Sequence, residues 1–240
     1  MCSSDLVGND SINAGPGVDF IVGGPGVDSI DGGSENDVAL FEDATQPVVI
    51  NLLSSTVSND GHGNAETIVN VENLHGGGLG DTLTLGNGGA YVFGRAGGDT
   101  LTGGTGSDNL IGGSGADSLV GGNGTDNADY YDDGYDGGGP AAAGANINLA
   151  TGLAVDSWGF TDTLSGIENI SASDFNDTIV GNASNNFIDT NNGNDSVNAG
   201  SGNDSLIGSF GNDTLRGEAG ADFLDGGAGN DLIDGGTVTD

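Results

Sequence analysis

The stretch GGTGSDNLIGGSGADSLV, residues 103–120, decides the fold of this 240-residue chain. It contains two nine-residue units, GGTGSDNLI (103–111) and GGSGADSLV (112–120). Each unit has a glycine pair, a third glycine at position four, an aspartate at position six and an aliphatic residue at position eight; GGAGNDLID (226–234) has the same form. A fixed period of this kind predicts a repetitive fold in which every unit adopts the same structure.

The nine-residue phase extends outward from this stretch through three arrays. The aspartates at position six are Asp10, Asp19, Asp28, Asp37, Asp81, Asp99, Asp108, Asp117, Asp126, Asp177, Asp195, Asp204, Asp213, Asp222 and Asp231, and Asp240 keeps the phase. The aliphatic residues two positions later are Ile12, Ile21, Ile30, Leu83, Val92, Leu101, Leu110, Leu119, Ile179, Ile188, Val197, Leu206, Leu215, Leu224 and Ile233. The coupling of an acidic position to an apolar position indicates an ordered solenoid and not a solvated acidic tract.

Each unit has room for one turn and one short strand. Glycine supplies the positive φ angles that tight turns require, and positions seven to nine form a strand whose side chains alternate between faces. Two units then complete an 18-residue coil, and coils stack with parallel strands about 4.8 Å apart. We therefore predict an all-β fold, a parallel β-roll or β-solenoid, with a thin aliphatic core between two sheets and turns along both edges.

The charge balance requires cations from outside the chain. Acidic residues number 36 against two basic ones, Arg95 and Arg216, which gives a formal charge of -34. Stacking places Asp99 over Asp117 and Asp108 over Asp126, where the carboxylates repel one another unless a cation lies between them. Carboxylates and turn carbonyls suit Ca²⁺ better than Mg²⁺, which demands strict octahedral geometry. So acidic a surface disfavours nucleic acid as a partner.

The unit G-G-x-G-x-D-x-U-x resembles the nonapeptide of the RTX, or hemolysin-type calcium-binding, repeat family. The resemblance covers roughly residues 8–40, 76–129 and 172–240. It implies a β-roll that holds several Ca²⁺ ions between turns, export from bacteria by a type I secretion system, and folding outside the cell. The candidate metal ligands are the array aspartates together with turn glycines of the clearest units, Gly103, Gly104, Gly106, Gly112, Gly113, Gly115, Gly226, Gly227 and Gly229.

Some units depart from this pattern, and we expect weaker or empty sites at their turns. Ala90 and Asn186 replace the aspartate. Turn glycines are replaced by Ala14, Glu35, Arg95, Glu218, Thr190 and Asn191.

The phase divides the chain into a non-native leader (1–6), array 1 (7–40), insert 1 (41–75), array 2 (76–129), insert 2 (130–171) and array 3 (172–240). We expect the leader, MCSSDL, to be non-native because it matches the translation of a common sequencing-adapter end; the alternative is a genuine short N-terminus, and in either case we set these six residues aside. The inserts resemble each other, with VINL (49–52) and VENL (71–74) matched by NINL (146–149) and IENI (167–170). Their β-branched content predicts strands that continue or cap the roll, with Trp158 and Phe160 over an apolar edge and a loop at 129–144.

Other chemistries have weaker support. His62 and His75 have no Cys or His partner at a zinc-ligand spacing. Glu66, Glu72, Asp162 and Glu168 could form a catalytic carboxylate pair, but Glu72 and Glu168 occupy equivalent places in the two inserts, which favours a structural hydrogen-bonding role. Tyr130, Tyr131 and Tyr135 could bind sugar or an ion, although an exposed loop without function is the simpler interpretation.

No catalytic set is evident, so we predict that this chain is not an enzyme. One alternative is the repeat region of a larger secreted protease, lipase or epimerase. Another is an adhesin or ice-binding face, which would favour a threonine ladder. Thr82, Thr100, Thr178 and Thr214 begin such a ladder, but Phe20, Tyr91, Asn109, Phe187 and Phe223 interrupt it. Cys2 is the one cysteine, so no disulfide forms within the chain, and no stretch reaches the roughly 20 apolar residues of a membrane span.

Overall fold

A computed structural model describes residues 2–3, 7–131 and 140–237. The described residues form short strands and one 3₁₀ turn at Leu52–Ser54, with no α-helix among them. The strands are β1 Cys2–Ser3, β2 Ser11–Asn13, β3 Phe20–Val22, β4 Ser29–Asp31, β5 Val38–Leu40, β6 Val48–Asn51, β7 Thr56–Asp60, β8 Glu66–Val69, β9 Asn73–His75, β10 Thr82–Thr84, β11 Tyr91–Ala96, β12 Thr100–Thr105, β13 Asn109–Ser114, β14 Ser118–Asn123, β15 Asn127–Asp129, β16 Asn146–Asn148, β17 Leu153–Val155, β18 Thr161–Ser165, β19 Asn169–Ser171, β20 Thr178–Val180, β21 Phe187–Asp189, β22 Ser196–Asn198, β23 Ser205–Ile207, β24 Thr214–Arg216, β25 Phe223–Asp225 and β26 Leu232–Asp234.

Consecutive repeat units alternate between two sheets, here called sheet 1 and sheet 2. Sheet 1 has 11 strands in the order β1-β3-β5-β9-β11-β13-β15-β19-β21-β23-β25, and the other described strands form the 15-stranded sheet 2. Within the arrays, neighbouring strands are parallel and offset by 18 residues, as in the pairing of Leu101 with Leu119 and of Leu206 with Leu224. The predicted β-roll of two units per coil is therefore confirmed.

The core is one row of aliphatic side chains from each sheet. Leu101 from sheet 2 and Leu110 from sheet 1 are both fully buried in the same cluster, while their strand neighbours face outward. At the C-terminal end of the stack the aliphatic row is exposed to solvent, where Ile233 of β26 is 49% exposed. One buried aliphatic side chain per nine residues contributes only about 1.5–3 kcal/mol, so the core is thin for a chain of this charge.

Four of the six strands of array 2 are longer than the three residues expected from the repeat. Strands β11 to β14 each span six residues, because the ladder continues through the glycine pair that follows, with Gly104 opposite Gly122. Two residues of the leader form β1, and Cys2 lies opposite Ile21, one residue out of the spacing of the arrays.

Each insert adds a three-stranded antiparallel meander to sheet 2. The sheet order runs β4-β8-β7-β6-β10 at insert 1 and β14-β18-β17-β16-β20 at insert 2. The meander therefore enters the stack in reverse: its first strand pairs with the array that follows, and its last with the array that precedes. Sheet 1 meanwhile gains the single strands β9 and β19.

The prediction that Phe160 covers an apolar edge is wrong. Phe160 is 50% exposed because it ends the connection between β17 and β18, outside the sheet; Trp158 in the same connection is half-buried. Across the part of the chain that the structure describes, no helix is long and apolar enough to cross a lipid bilayer.

Candidate metal sites

The position-six aspartates stack in two columns, one at each edge of the roll. Asp99 N–H donates to Asp117 Oδ1 at 2.7 Å, and Asp108 N–H donates to Asp126 Oδ1 at 2.9 Å. The same bond, from one aspartate to the aspartate 18 residues later, recurs in Asp10–Asp28, Asp19–Asp37, Asp81–Asp99, Asp177–Asp195, Asp195–Asp213, Asp204–Asp222 and Asp213–Asp231. The Oδ1 atom of each acceptor thus ties one coil to the next.

The second oxygen of most of these carboxylates has no such bond. Oδ2 is buried without a hydrogen-bond partner in Asp10, Asp28, Asp37, Asp99, Asp108, Asp117, Asp126, Asp195, Asp204, Asp213 and Asp222. The aspartates themselves are buried, apart from Asp10, Asp222 and Asp231, which lie near the ends of the stack and are half-buried. A buried carboxylate oxygen without a donor is costly, so these columns favour a proton or a cation beside Oδ2.

The same burial opposes ionisation of the bare carboxylates. Burial, partly offset by the bond from Asp81 and reinforced by the charges of Asp117 and Asp81, raises the pKa of Asp99 to about 8. Burial likewise raises the pKa values of Asp117 and Asp195 to about 7. A cation between the turns would reverse these shifts, because an adjacent positive charge favours the ionised form.

The first and fourth positions of the repeat unit are glycine because a side chain there would clash with the turn aspartate or with the turn of the preceding coil. A Cβ on Gly112 would stand 2.5 Å from Asp117 Oδ2, so the first glycine leaves space for the carboxylate of its own turn. Gly115 has φ +151°, and a Cβ there would stand 1.5 Å from Gly97 O of the preceding coil. The other predicted glycines repeat these two crowded positions or the positive-φ second position: Gly103, Gly104, Gly106, Gly113, Gly226, Gly227 and Gly229.

The departing units keep the turn backbone but lose carboxylate oxygens. Arg95 and Glu218 adopt φ values of 82° and 68° in place of the second glycine. Ala90 N–H still donates to Asp108 Oδ1 at 3.0 Å, but the Ala90 side chain has no oxygen that could bind a metal ion. Asn186 supplies an amide oxygen, which accepts a bond from Asn182 N–H at 3.0 Å.

The inserts continue the columns with residues that the site prediction missed. Asp37 N–H donates to Glu72 Oε2 at 2.9 Å, and Asp126 N–H donates to Glu168 Oε2 at 3.1 Å, which is the structural role that their equivalence indicated. Asp162 accepts bonds from Asp117 N–H at 2.9 Å and from the Tyr130 hydroxyl at 3.1 Å. Asp162 precedes Leu164 by two residues, as the aspartate precedes the aliphatic residue in a repeat unit. This spacing could have identified Asp162 as a member of the column from the sequence.

The tyrosines of the predicted loop differ from one another. Tyr130 is only 7% exposed, so the expectation of an exposed loop is wrong for it, because its hydroxyl finds an acceptor in Asp162. Tyr131 is exposed, and Tyr135 lies outside the described residues.

The histidines pair with acidic side chains and not with each other. His62 Nε2 lies 3.5 Å from Asp43 Oδ2, and His75 Nδ1 lies 3.6 Å from Glu42 Oε1. Within the described ranges, no three or more His, Cys, Asp or Glu side chains are grouped so that they could hold a metal ion by themselves. An ion between the turns must therefore combine one or two carboxylates with backbone carbonyls, a donor set that suits Ca²⁺.

A scan against protein-family models matches the RTX calcium-binding nonapeptide repeat four times, over residues 7–39, 93–128, 171–206 and 207–240. These segments cover more than half of the chain. The chain belongs to the RTX calcium-binding repeat family. RTX repeats bind Ca²⁺ in a β-roll, and the unpartnered Oδ2 atoms fit that ion. A comparison with curated proteins finds no significant match.

Proposed function

We propose that this chain is a secreted bacterial RTX module that folds when it takes up several Ca²⁺ ions outside the cell. The observation that carries the proposal is the row of buried Oδ2 atoms without partners along each edge of the roll. With a formal charge of -34 and a thin core, the folded state needs the ions for its stability. RTX repeats are typical of extracellular bacterial proteins, which supports export by a type I system as part of the proposal.

The proposed ligands are the array aspartates, through Oδ2, with carbonyl oxygens of the adjoining turns. In array 2, Gly121 O lies 2.4 Å and Asp108 Oδ2 lies 2.6 Å from the point where a Cβ on Gly103 would stand, so the two oxygens converge. The turns of Ala90 and Asn186 should bind more weakly, because each lacks one carboxylate.

Calcium concentration then acts as the folding signal. Extracellular calcium modules bind Ca²⁺ with dissociation constants of about 10⁻⁴–10⁻³ M. These values are far above the free calcium concentration of the cytosol, so the chain stays unfolded before export.

Far-ultraviolet circular dichroism of the full chain tests this. Addition of millimolar CaCl₂ should convert a coil spectrum to a β spectrum, chelator should reverse the change, and MgCl₂ should give little change. A β-rich spectrum in chelator that calcium leaves unchanged contradicts the proposal.

A further inference from the structure

The two sheets carry different residues on their outer faces. Four threonines at position seven of array units lie in strands of sheet 2: Thr82, Thr100, Thr178 and Thr214. The residues that interrupt a threonine ladder in the sequence all lie in strands of sheet 1: Phe20, Tyr91, Asn109, Phe187 and Phe223. Because consecutive units alternate between the sheets, the two sets never share a face. The objection to a threonine ladder that the sequence raises is therefore wrong.

Around array 2 the outer face of sheet 2 is a grid of hydroxyl groups. Strands β10, β12, β14 and β18 are neighbours in this order, and in each strand two outward residues flank a buried leucine. Strand pairing aligns these outward residues in two rows, here called the hydroxyl grid: Thr82, Thr100, Ser118 and Thr163 in one, and Thr84, Thr102, Val120 and Ser165 in the other. Seven of the eight side chains carry a hydroxyl group, and all eight are exposed or half-buried.

Uncharged polar residues continue the second row across insert 1. Asn51 pairs with Thr84, Thr56 with Asn51, Thr67 with Thr56, and Ser29 with Thr67. Together with the grid, this row crosses eight neighbouring strands, which is about 34 Å at about 4.8 Å between strands.

The hydroxyl grid carries no charge in a chain with 36 acidic residues. Position nine of the outer face of sheet 1 holds Asp129 and Asp189. On sheet 2 the charged residues at that position, Asp31, Arg216 and Asp234, lie outside the grid. The grid therefore disfavours an ionic ligand, and because it has no aromatic ring it offers a sugar no surface for stacking. Its hydroxyl groups both donate and accept hydrogen bonds, as water does.

The spacing of the grid matches a lattice of water molecules. Neighbouring strands are about 4.8 Å apart, and outward residues of one strand follow each other at about 6.6 Å, which is two residues of about 3.3 Å each. The distances at which oxygen atoms repeat on the faces of hexagonal ice fall in the same range. The β-branch of threonine restricts its χ1 angle, so the hydroxyl and methyl groups are held in place before binding, which lowers the entropic cost of ordering them.

We propose that the hydroxyl grid is an ice-binding surface. Its hydroxyl groups hydrogen-bond a layer of ordered water, the threonine methyl groups fill the gaps of that layer, and the layer joins the growing crystal. This inference rests on the calcium-dependent folding of the proposed function, because the grid exists only in the folded roll. It adds a second activity, since no residue of the grid is a proposed metal ligand.

The growth of single ice crystals in a solution of the full chain with CaCl₂ tests the surface. The natural chain should hold the freezing point of a seed crystal below its melting point and give the crystal facets. Thr100→Tyr places a ring at the centre of the grid and should lose most of this gap between the two temperatures. The control, Ser205→Tyr, makes a matched change at position seven on the outer face of sheet 1 and should keep the gap. Equal gaps in the two variants, each folded by circular dichroism, overturn the proposal.

Adsorption of the natural chain to ice provides a test that does not depend on the folding of a variant. The chain, labelled with a fluorophore at its amino terminus, should be enriched in ice that grows slowly from a CaCl₂ solution and should be excluded when chelator is present. A folded chain that the ice excludes overturns the ice-binding surface and leaves calcium-dependent folding standing; if sedimentation then shows a dimer, a second copy is the occupant of the face. A chain that stays unfolded in calcium overturns the proposed function together with this inference.

Discussion

The first glycine of a repeat unit faces the carboxylate of its own turn, so a single methyl group tests the turn geometry. A Cβ on Gly112 stands 2.5 Å from Asp117 Oδ2, and Gly112→Ala must displace that carboxylate. We expect a loss of about 1–3 kcal/mol in the free energy of unfolding in saturating calcium. Chemical denaturation measures it against Gly78→Ala, because nothing lies within 4 Å of a Cβ on Gly78. Equal losses in the two variants contradict this role for the first glycine.

Residues that follow the nine-residue phase could be predicted from the sequence, and residues that depend on distant partners could not. The burial of Leu101, Leu110 and Leu119 follows from a local period that repeats itself in the next coil. The burial of Tyr130 depends on Asp162, 32 residues away, and no periodicity connects the two.

At the scale of elements, array 3 has a second ladder of side-chain bonds that array 2 lacks. Position-five asparagines accept the N–H of the next coil, as Asn176 does from Asn194 at 2.7 Å and Asn194 does from Asn212 at 2.8 Å. In array 2 the same position is glycine at residues 80, 89 and 98. This ladder does not need a metal ion. When calcium is limiting, the backbone amides of array 3 should therefore stay better protected from hydrogen exchange than those of array 2.

Substitution of one asparagine measures the strength of this ladder. Asn194→Ala removes the acceptor of the Asn212 N–H and should cost about 0.5–1.5 kcal/mol, with faster hydrogen exchange at that amide. Asn123→Ala serves as the control, because the Asn123 side chain is exposed and lies in array 2, outside this ladder. Exchange at Asn212 that is equally slow in both variants contradicts the ladder.

The insert strands show where prediction from sequence ends at this scale. VINL and VENL indicate strands through their β-branched content, but composition does not reveal that the meander enters sheet 2 in reverse order. That order depends on which strand edge each meander strand meets, as in the pairing of Ile50 with Leu83 of the following array. Such pairings link residues far apart in the chain and leave no local pattern.

For the whole molecule, the buried columns predict an unusual pH dependence without metal. In the folded chain, burial raises the pKa of Asp99 to about 8, and those of Asp117 and Asp195 to about 7, from the ordinary aspartate value of 3.8. A raised folded pKa makes a group stabilise the fold below its unfolded pKa, and that stability is lost as the pH rises through the folded value. In chelator, the β signal in circular dichroism should therefore fall between about pH 4 and pH 8. A β signal that instead strengthens with pH contradicts the assigned burial.

The central claim is that ions between stacked turns stabilise a roll that is too acidic and too thinly cored to persist alone. The most direct test is a calorimetric calcium titration, followed by thermal unfolding, of the natural chain and of Asp108→Ala/Asp117→Ala. The account predicts that the double variant binds fewer ions and unfolds at a lower temperature than the natural chain in the same calcium concentration. A double variant that binds as many ions as the natural chain, with unchanged unfolding, would contradict the account.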